Sequence, residues 1–236
     1  MNTVNVGGKR LVSKEELELY SYVDENASLV VDEMAELISS GLQTGDGGLL
    51  FAYGPVYSGK TLAACMVIDR LHRKDLRVMA IQPEVGRPDV PTDKYFSRSG
   101  VEKKVESVSD KKKISKIFDK SDVVIIDEIQ FFPSEVQSFL LKVIQDYVDR
   151  GGWVVAMGML YTSQRSEFLL SAVLKDRCFK SYALTATCLK CGKRGAMYNQ
   201  RIVKGLPTTI EDPELISPSE EVIYEPRCSK CHVIIG

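Results

Sequence analysis

The chain has 236 residues, 44% hydrophobic and 27% charged, which is the balance of a globular protein with a substantial core. A formal net charge of -1 leaves no basic surplus, so bulk electrostatics point neither to a nucleic-acid partner nor to an anionic membrane surface. No apolar run approaches the roughly 20 residues needed to span a bilayer, and residues 1–16 lack the apolar core of a secretory signal, so the expected address is the cytoplasm.

Residues 1–47 read as a helical N-terminal extension and linker. Ser13-Lys14-Glu15-Glu16 fits a capping box, and Leu17, Tyr20, Val30, Met34, Leu37 and Ile38 then recur at mostly helical spacing, which predicts one or two helices. The glycine-bearing run from Ser39 to Gly48 reads as linker. Leu49 to Tyr53 is a short apolar strand. A glycine-rich turn follows, then a helix from about Thr61 to Arg73 and a second strand from Leu76 to Gln82. Residues 83–108 mix prolines, glycines and charges and read as loop. Residues 110–120 form a short helix whose Lys111-Lys112-Lys113 run is a solvated face.

Val123 to Ile126 is continuously apolar, as buried parallel strands are. An amphipathic helix begins at Pro133 or Ser134 and stops near Gly151-Gly152, and Trp153 to Gly158 is another buried strand. Strands alternating with helices predict an α/β fold, a parallel sheet flanked by helices. After about Tyr182 the pattern turns short, turn-rich and cysteine-bearing. The expected division is therefore an extension over 1–47, a nucleotide-binding domain over 48–181 and a small metal-binding domain over 182–236.

Gly54-Pro55-Val56-Tyr57-Ser58-Gly59-Lys60-Thr61 fits G-x-x-x-x-G-K-[ST], between an apolar strand and a helix. Glycines let such a loop curl its amides around phosphate oxygens, and the following helix offers its positive end to the same anion. Lys60 would reach the β- and γ-phosphates of ATP, and the Thr61 hydroxyl would ligate Mg²⁺. The strand over Val123–Ile126 ends in Asp127-Glu128. Asp127 suits a Mg²⁺ ligand, and Glu128, beyond the strand end, suits a general base.

Six cysteines are present, four of them in two C-x-x-C pairs, Cys188/Cys191 and Cys228/Cys231. In a chain without a secretory signal this pattern reads as structural Zn²⁺ before disulfide. His232 could replace Cys231 as a ligand, but the spacing favours Cys231. Cys65 and Cys178 read as buried or free thiols, and His72 as a surface residue.

Together these motifs resemble the type II thymidine kinase family. The resemblance runs from about Leu49 to His232. It rests on the phosphate loop, on Asp127-Glu128-Ile129-Gln130-Phe131-Phe132, on Leu184-Thr185-Ala186-Thr187-Cys188 with Cys191, and on Tyr224-Glu225-Pro226-Arg227-Cys228 with Cys231-His232. It implies that Glu128 takes the proton of the nucleoside 5′-hydroxyl and that Gln130 belongs to the ATP site. It implies that Arg87, Phe131, Met159, Phe168 and Tyr224 contact the nucleoside, thymidine or deoxyuridine, and that a lasso of about 204–223 closes over it. It further implies a homo-oligomer, typically a tetramer, inhibited by the triphosphate end product. Leu160 stands where the family typically has an aspartate, Ser163 where it has an aromatic, and Ser217-Pro218-Ser219-Glu220 where it has Gly-Gly.

Two other kinds of activity fit parts of the pattern: a related kinase with another nucleoside preference, and a P-loop ATPase whose zinc ribbon acts on nucleic acid. A protein that holds nucleotide without turnover is disfavoured by the complete set of Lys60, Thr61, Asp127 and Glu128. Every candidate active-site group lies after Gly48, so residues 1–47 are expected to be dispensable for chemistry and to pack on the domain or on another subunit.

Overall fold

The computed structural model describes residues 14–84, 94–96, 102–207, 209–210 and 222–235. Arg87, Ser13 of the expected capping box and Ser217-Pro218-Ser219-Glu220 lie outside these residues. The described part opens on one helix, α1, Lys14–Thr44. It is longer than expected: the run from Ser39 to Thr44, read as linker, is its last turns. Ser39 and Thr44 return their hydroxyls to the helix carbonyls of Ala35 and Gly41. At Gly41 the helix meets the Trp153 indole so closely that a Cβ would stand 2.3 Å from a ring carbon. The chain turns only at Gly45, with φ 80°, and Trp153 donates its indole N–H to the Asp46 carbonyl at 2.6 Å.

The sheet follows: β1 (Gly48–Tyr53), α2 (Lys60–His72), β2 (Val78–Gln82), then β3 (Lys94–Phe96) and β4 (Glu102–Lys104), which pair with each other, and β5 (Glu106–Ser107). Next come α3 (Lys111–Asp119), β6 (Val123–Ile126), a single 3₁₀ turn (Ile129–Phe131), α4 (Ser134–Asp149), β7 (Trp153–Gly158), α5 (Leu169–Arg177) and β8 (Lys180–Ala183). Six strands form one sheet in the order β5-β2-β6-β7-β1-β8, every pairing parallel.

Two expectations need correction. Residues 83–108 are not all loop, because β5 extends the sheet edge between the buried anchors Val105 and Val108. The segment after β7, to which no element was assigned, contains α5 and β8. The short strands β9 (Tyr198–Val203), β10 (Leu206–Pro207) and β11 (Val222–Arg227) form a separate antiparallel sheet in the order β10-β9-β11.

Each face of the parallel sheet has its own core. One lies under α3, α4 and α5 and includes Phe51, Ile126, Leu140 and Leu170. The other lies under α2, and α1 completes it: Ala27, Val31, Met34, Ala35 and Ile38 are buried with Ala63, Val67 and Leu71. Ion pairs Asp32–Arg70 at 2.9 Å and Glu33–Lys180 fasten the rim of the same contact. The extension therefore closes a core instead of decorating it. Ile38→Ala should lower the free energy of unfolding in urea by about 2–4 kcal/mol, the cost of deleting a fully buried large aliphatic side chain. An unchanged midpoint and slope would show that α1 does not pack as described.

Candidate active site and cysteine centre

The carboxyl ends of β1, β7 and β6 lie side by side in the sheet, and the loops that follow them face one crevice. The Gly54–Thr61 loop leaves β1. Its first residue has no room for a side chain, since a Cβ at Gly54 would stand 2.1 Å from the Leu184 carbonyl oxygen. Tyr57 and Gly59 hold positive φ, 62° and 89°, of the kind found in anion-binding nests. Gly59 caps α2, so the positive end of that helix opens on the loop. Lys60 is buried, and its Nζ donates to the Gly54 and Pro55 carbonyls at 3.0 and 2.8 Å. Ser58 closes the turn by donating to the Pro55 carbonyl at 2.8 Å.

Asp127, 1% exposed, follows β6 and faces α2 across the crevice. Its Oδ2 accepts the Thr61 hydroxyl at 2.8 Å, and its Oδ1 accepts the Glu128 amide at 2.8 Å. Burial, and after it the neighbouring Glu128 carboxylate, push its pKa up to about 6. A carboxylate whose charge is this disfavoured gains most from a bound cation. A hydroxyl and a carboxylate are the hard oxygen ligands that Mg²⁺ takes, so this pair fits the ion.

Glu128 takes φ 51° and ψ 42°, a left-handed conformation that costs a non-glycine residue energy and is kept only where its surroundings enforce it. Its side chain is held by Gln130. Its amide nitrogen donates to Glu128 Oε2 at 2.6 Å, and its amide oxygen accepts the Met159 N–H at 3.0 Å. Gln130 is thus buried between the acid and the end of β7. Phe131 follows it, half-buried at the end of the 3₁₀ turn, and Phe168 caps α5, which packs on that turn. Tyr224 lies apart on β11, opposite Arg201 of β9. Leu160 and Ser163, which depart from the pattern of the resemblance, are both buried beyond β7.

The four expected cysteines meet. Two tight turns carry them: the Gly192 amide bonds to the Cys188 carbonyl at 2.8 Å, and the Cys231 amide to the Cys228 carbonyl at 3.0 Å. All four sulfurs lie within 4.8 Å of one another, and Cys191 and Cys228 are 3.9 Å apart. A tetrahedral ion with sulfur at 2.3 Å sets its ligands roughly 3.8 Å apart, so the group fits zinc and could hold it. Burial works against the Cys188 thiolate, but the Cys228, Cys191 and Lys190 amides bring its pKa down to about 6.

His232 is not in this group. It is buried and its ring lies between the Arg165 Nε and the Asn199 carbonyl, each at 3.2 Å. Burial, then the Arg165 charge, lower its pKa. Cys65 is a buried thiol on α2, pushed up to about 12 first by burial, and His72 is exposed. Asn199, which accepts the Val56 amide of the phosphate loop, was not among the residues singled out in the sequence. Asn199 sits in no phosphate or metal pattern, and nothing in its spacing marks it.

Among the described residues no helix is long and apolar enough to cross a membrane. Of solved structures, domain III of the Thermotoga maritima replication initiation protein DnaA is 20% identical with a TM-score of 0.40, over 73% of this chain and 63% of that one. AMPPCP-bound DnaA from Aquifex aeolicus is 11% identical with a TM-score of 0.41, over 65% and 46%. The Pif1 helicase of Candida albicans is 14% identical with a TM-score of 0.38, over 74% and 39%. The chain spans less than two thirds of the length of each of these structures. The family model for thymidine kinase matches residues 47–232, from the start of β1 through the phosphate loop and the acid pair to the second cysteine turn. The chain belongs to the thymidine kinase family.

Proposed function

We propose that this chain is an ATP-dependent nucleoside 5′-kinase whose substrate is thymidine or deoxyuridine, acting as a homo-oligomer. The observation that carries the reading is the meeting of Thr61, Asp127 and Glu128 at one crevice beside the Lys60 loop, in a chain of this family. The loop and α2 bind the triphosphate. Lys60 leaves its carbonyl partners for the β- and γ-oxygens, where its charge counters the charge of the transition state. Thr61 and Asp127 would hold the Mg²⁺ that comes with ATP, which neutralises the same oxygens. Glu128 accepts the 5′-hydroxyl proton as that oxygen bonds to the γ-phosphorus. The bond from phosphorus to the bridging oxygen breaks, and ADP leaves with the electron pair.

Gln130 holds the Glu128 carboxylate in line, while Phe131, Met159, Phe168 and Tyr224, with Arg87, form the nucleoside site. Cys188, Cys191, Cys228 and Cys231 hold a structural zinc that carries no chemistry of its own, since four thiolates leave no open position. One observation favours a second reading, a kinase for another nucleoside: Leu160 and Ser163 remove a carboxylate and an aromatic from the region beyond β7.

Glu128→Gln keeps shape and reach but cannot take a proton. Its single-turnover transfer should fall about 10²–10⁴-fold with ATP affinity retained, whereas Lys60→Ala should lose both. An unchanged rate for Glu128→Gln removes the general-base role. The nucleoside is settled by ADP release over a panel of deoxynucleosides and single-stranded DNA. Thymidine or deoxyuridine should dominate, and release driven only by DNA would replace the kinase with a nucleic-acid ATPase. Metal analysis of protein purified without chelator should find one zinc per chain, with the four thiols protected. Freely titratable thiols and no zinc would exclude the metal.

A further inference from the structure

We propose that Asn199 ties the cysteine centre to the phosphate loop, so that a metal-loaded centre holds the loop in its ATP-binding form. This rests on the ATP site proposed above. Asn199 is 2% exposed, and it lies in β9, on the small sheet between the two cysteine turns. Its side chain nevertheless ends at the parallel sheet. The Oδ1 accepts the Val56 amide of the phosphate loop at 2.8 Å, and the Nδ2 donates to Met159 Sδ at 3.0 Å at the end of β7. Across the small sheet Asn199 faces Pro226, which has no N–H to give. Its carbonyl is met instead by the His232 ring at 3.2 Å.

His232 is locked on its other side. Arg165 Nε donates to its Nδ1, so that nitrogen carries the lone pair and Nε2 carries the hydrogen given to Asn199. The same guanidinium donates to the Ser229 and His232 carbonyls at 2.8 and 3.0 Å and lies over the Tyr198 ring. The His232 amide in turn bonds to the Cys228 carbonyl at 3.0 Å, inside the second cysteine turn. An unbroken series of hydrogen bonds therefore runs from that turn through His232 and Asn199 to Val56. Structural zinc sites supply folding free energy to the turns that bear them. Losing the metal releases the turn, then His232, and with it the anchor of the phosphate loop. Asn199 acts here as a positioning residue and touches no reacting atom.

The test uses the full chain and three proteins beside wild type: Asn199→Val, which suits a strand and deletes both side-chain bonds; His232→Leu, which spares all four cysteines; and the double variant. Zinc content and the ATP dissociation constant, by titration calorimetry without nucleoside, are measured for each. Both single variants should keep zinc and bind ATP about tenfold more weakly, the fold-change of one buried hydrogen bond. The double variant should be no weaker than the weaker single, because both act through one connection. Chelator-stripped wild type should show the same loss, and stripping should add nothing to Asn199→Val.

Equal ATP affinity in Asn199→Val and wild type overturns the proposal, and so do losses that multiply in the double variant. If Asn199→Val does not fold, Asn199→Thr takes its place in the same comparison, with His232→Leu read alone as a second arm. Wild type that binds no ATP at all sinks the ATP-site reading itself, which is a different result from wild type that binds while the variants bind equally well.

Discussion

A hydrogen bond of 2.8 Å from Thr61 to Asp127 joins positions 66 residues apart, and the candidate site depends on it. It can form only because β7 separates β1 from β6 by a single strand and all three run the same way. Parallel strands bring their carboxyl ends to one edge, where helix N-termini and strand-end acids converge. The constraint then propagates. A buried Asp127 needs its two oxygens occupied, so it takes the Thr61 hydroxyl and the Glu128 amide. The second of these bonds sits at the residue whose backbone turns into the left-handed region. Gln130 then bridges the Glu128 carboxylate and the Met159 amide just past β7.

The two sheets are joined by polar groups, beside the apolar contact of Tyr57 with the cysteine cluster. Hydrophobic clusters sit on either face of the parallel sheet and a third, small one lies at the cysteine turns. Between them run Asn199, His232 and Arg165. Directional bonds of this kind fix a relative position that apolar packing would leave loose, and they fail abruptly when one member is removed. They join the loop proposed to bind phosphate to the part that bears the four thiols.

Much of the site was legible in the chain itself because its chemistry is local. The candidate phosphate loop is Gly54 through Thr61 in succession, and the four-thiol group comes from two C-x-x-C turns, so both appear as short words. The buried strands β1, β6 and β7 were legible for the same reason, as unbroken apolar runs. What escaped depends on distance. Asn199 meets Val56 across 143 residues, and no periodicity encodes that meeting. The end of α1 escaped because serine and glycine are helix-weakening by propensity, and only the Trp153 indole makes Gly41 the required residue there. β5 escaped because it is two residues long and polar, held by valines on either side.

That indole has one more consequence. Trp153 is the single tryptophan of the chain. It is buried at the junction of α1 and the sheet, with Gly41 and Gly48 against its ring, Phe179 edge-on at 6.3 Å and its N–H on Asp46. Its emission is therefore a native optical probe of whether the N-terminal helix is seated. A red shift on exposure to water would report α1 leaving the sheet, without any label and without background from a second indole.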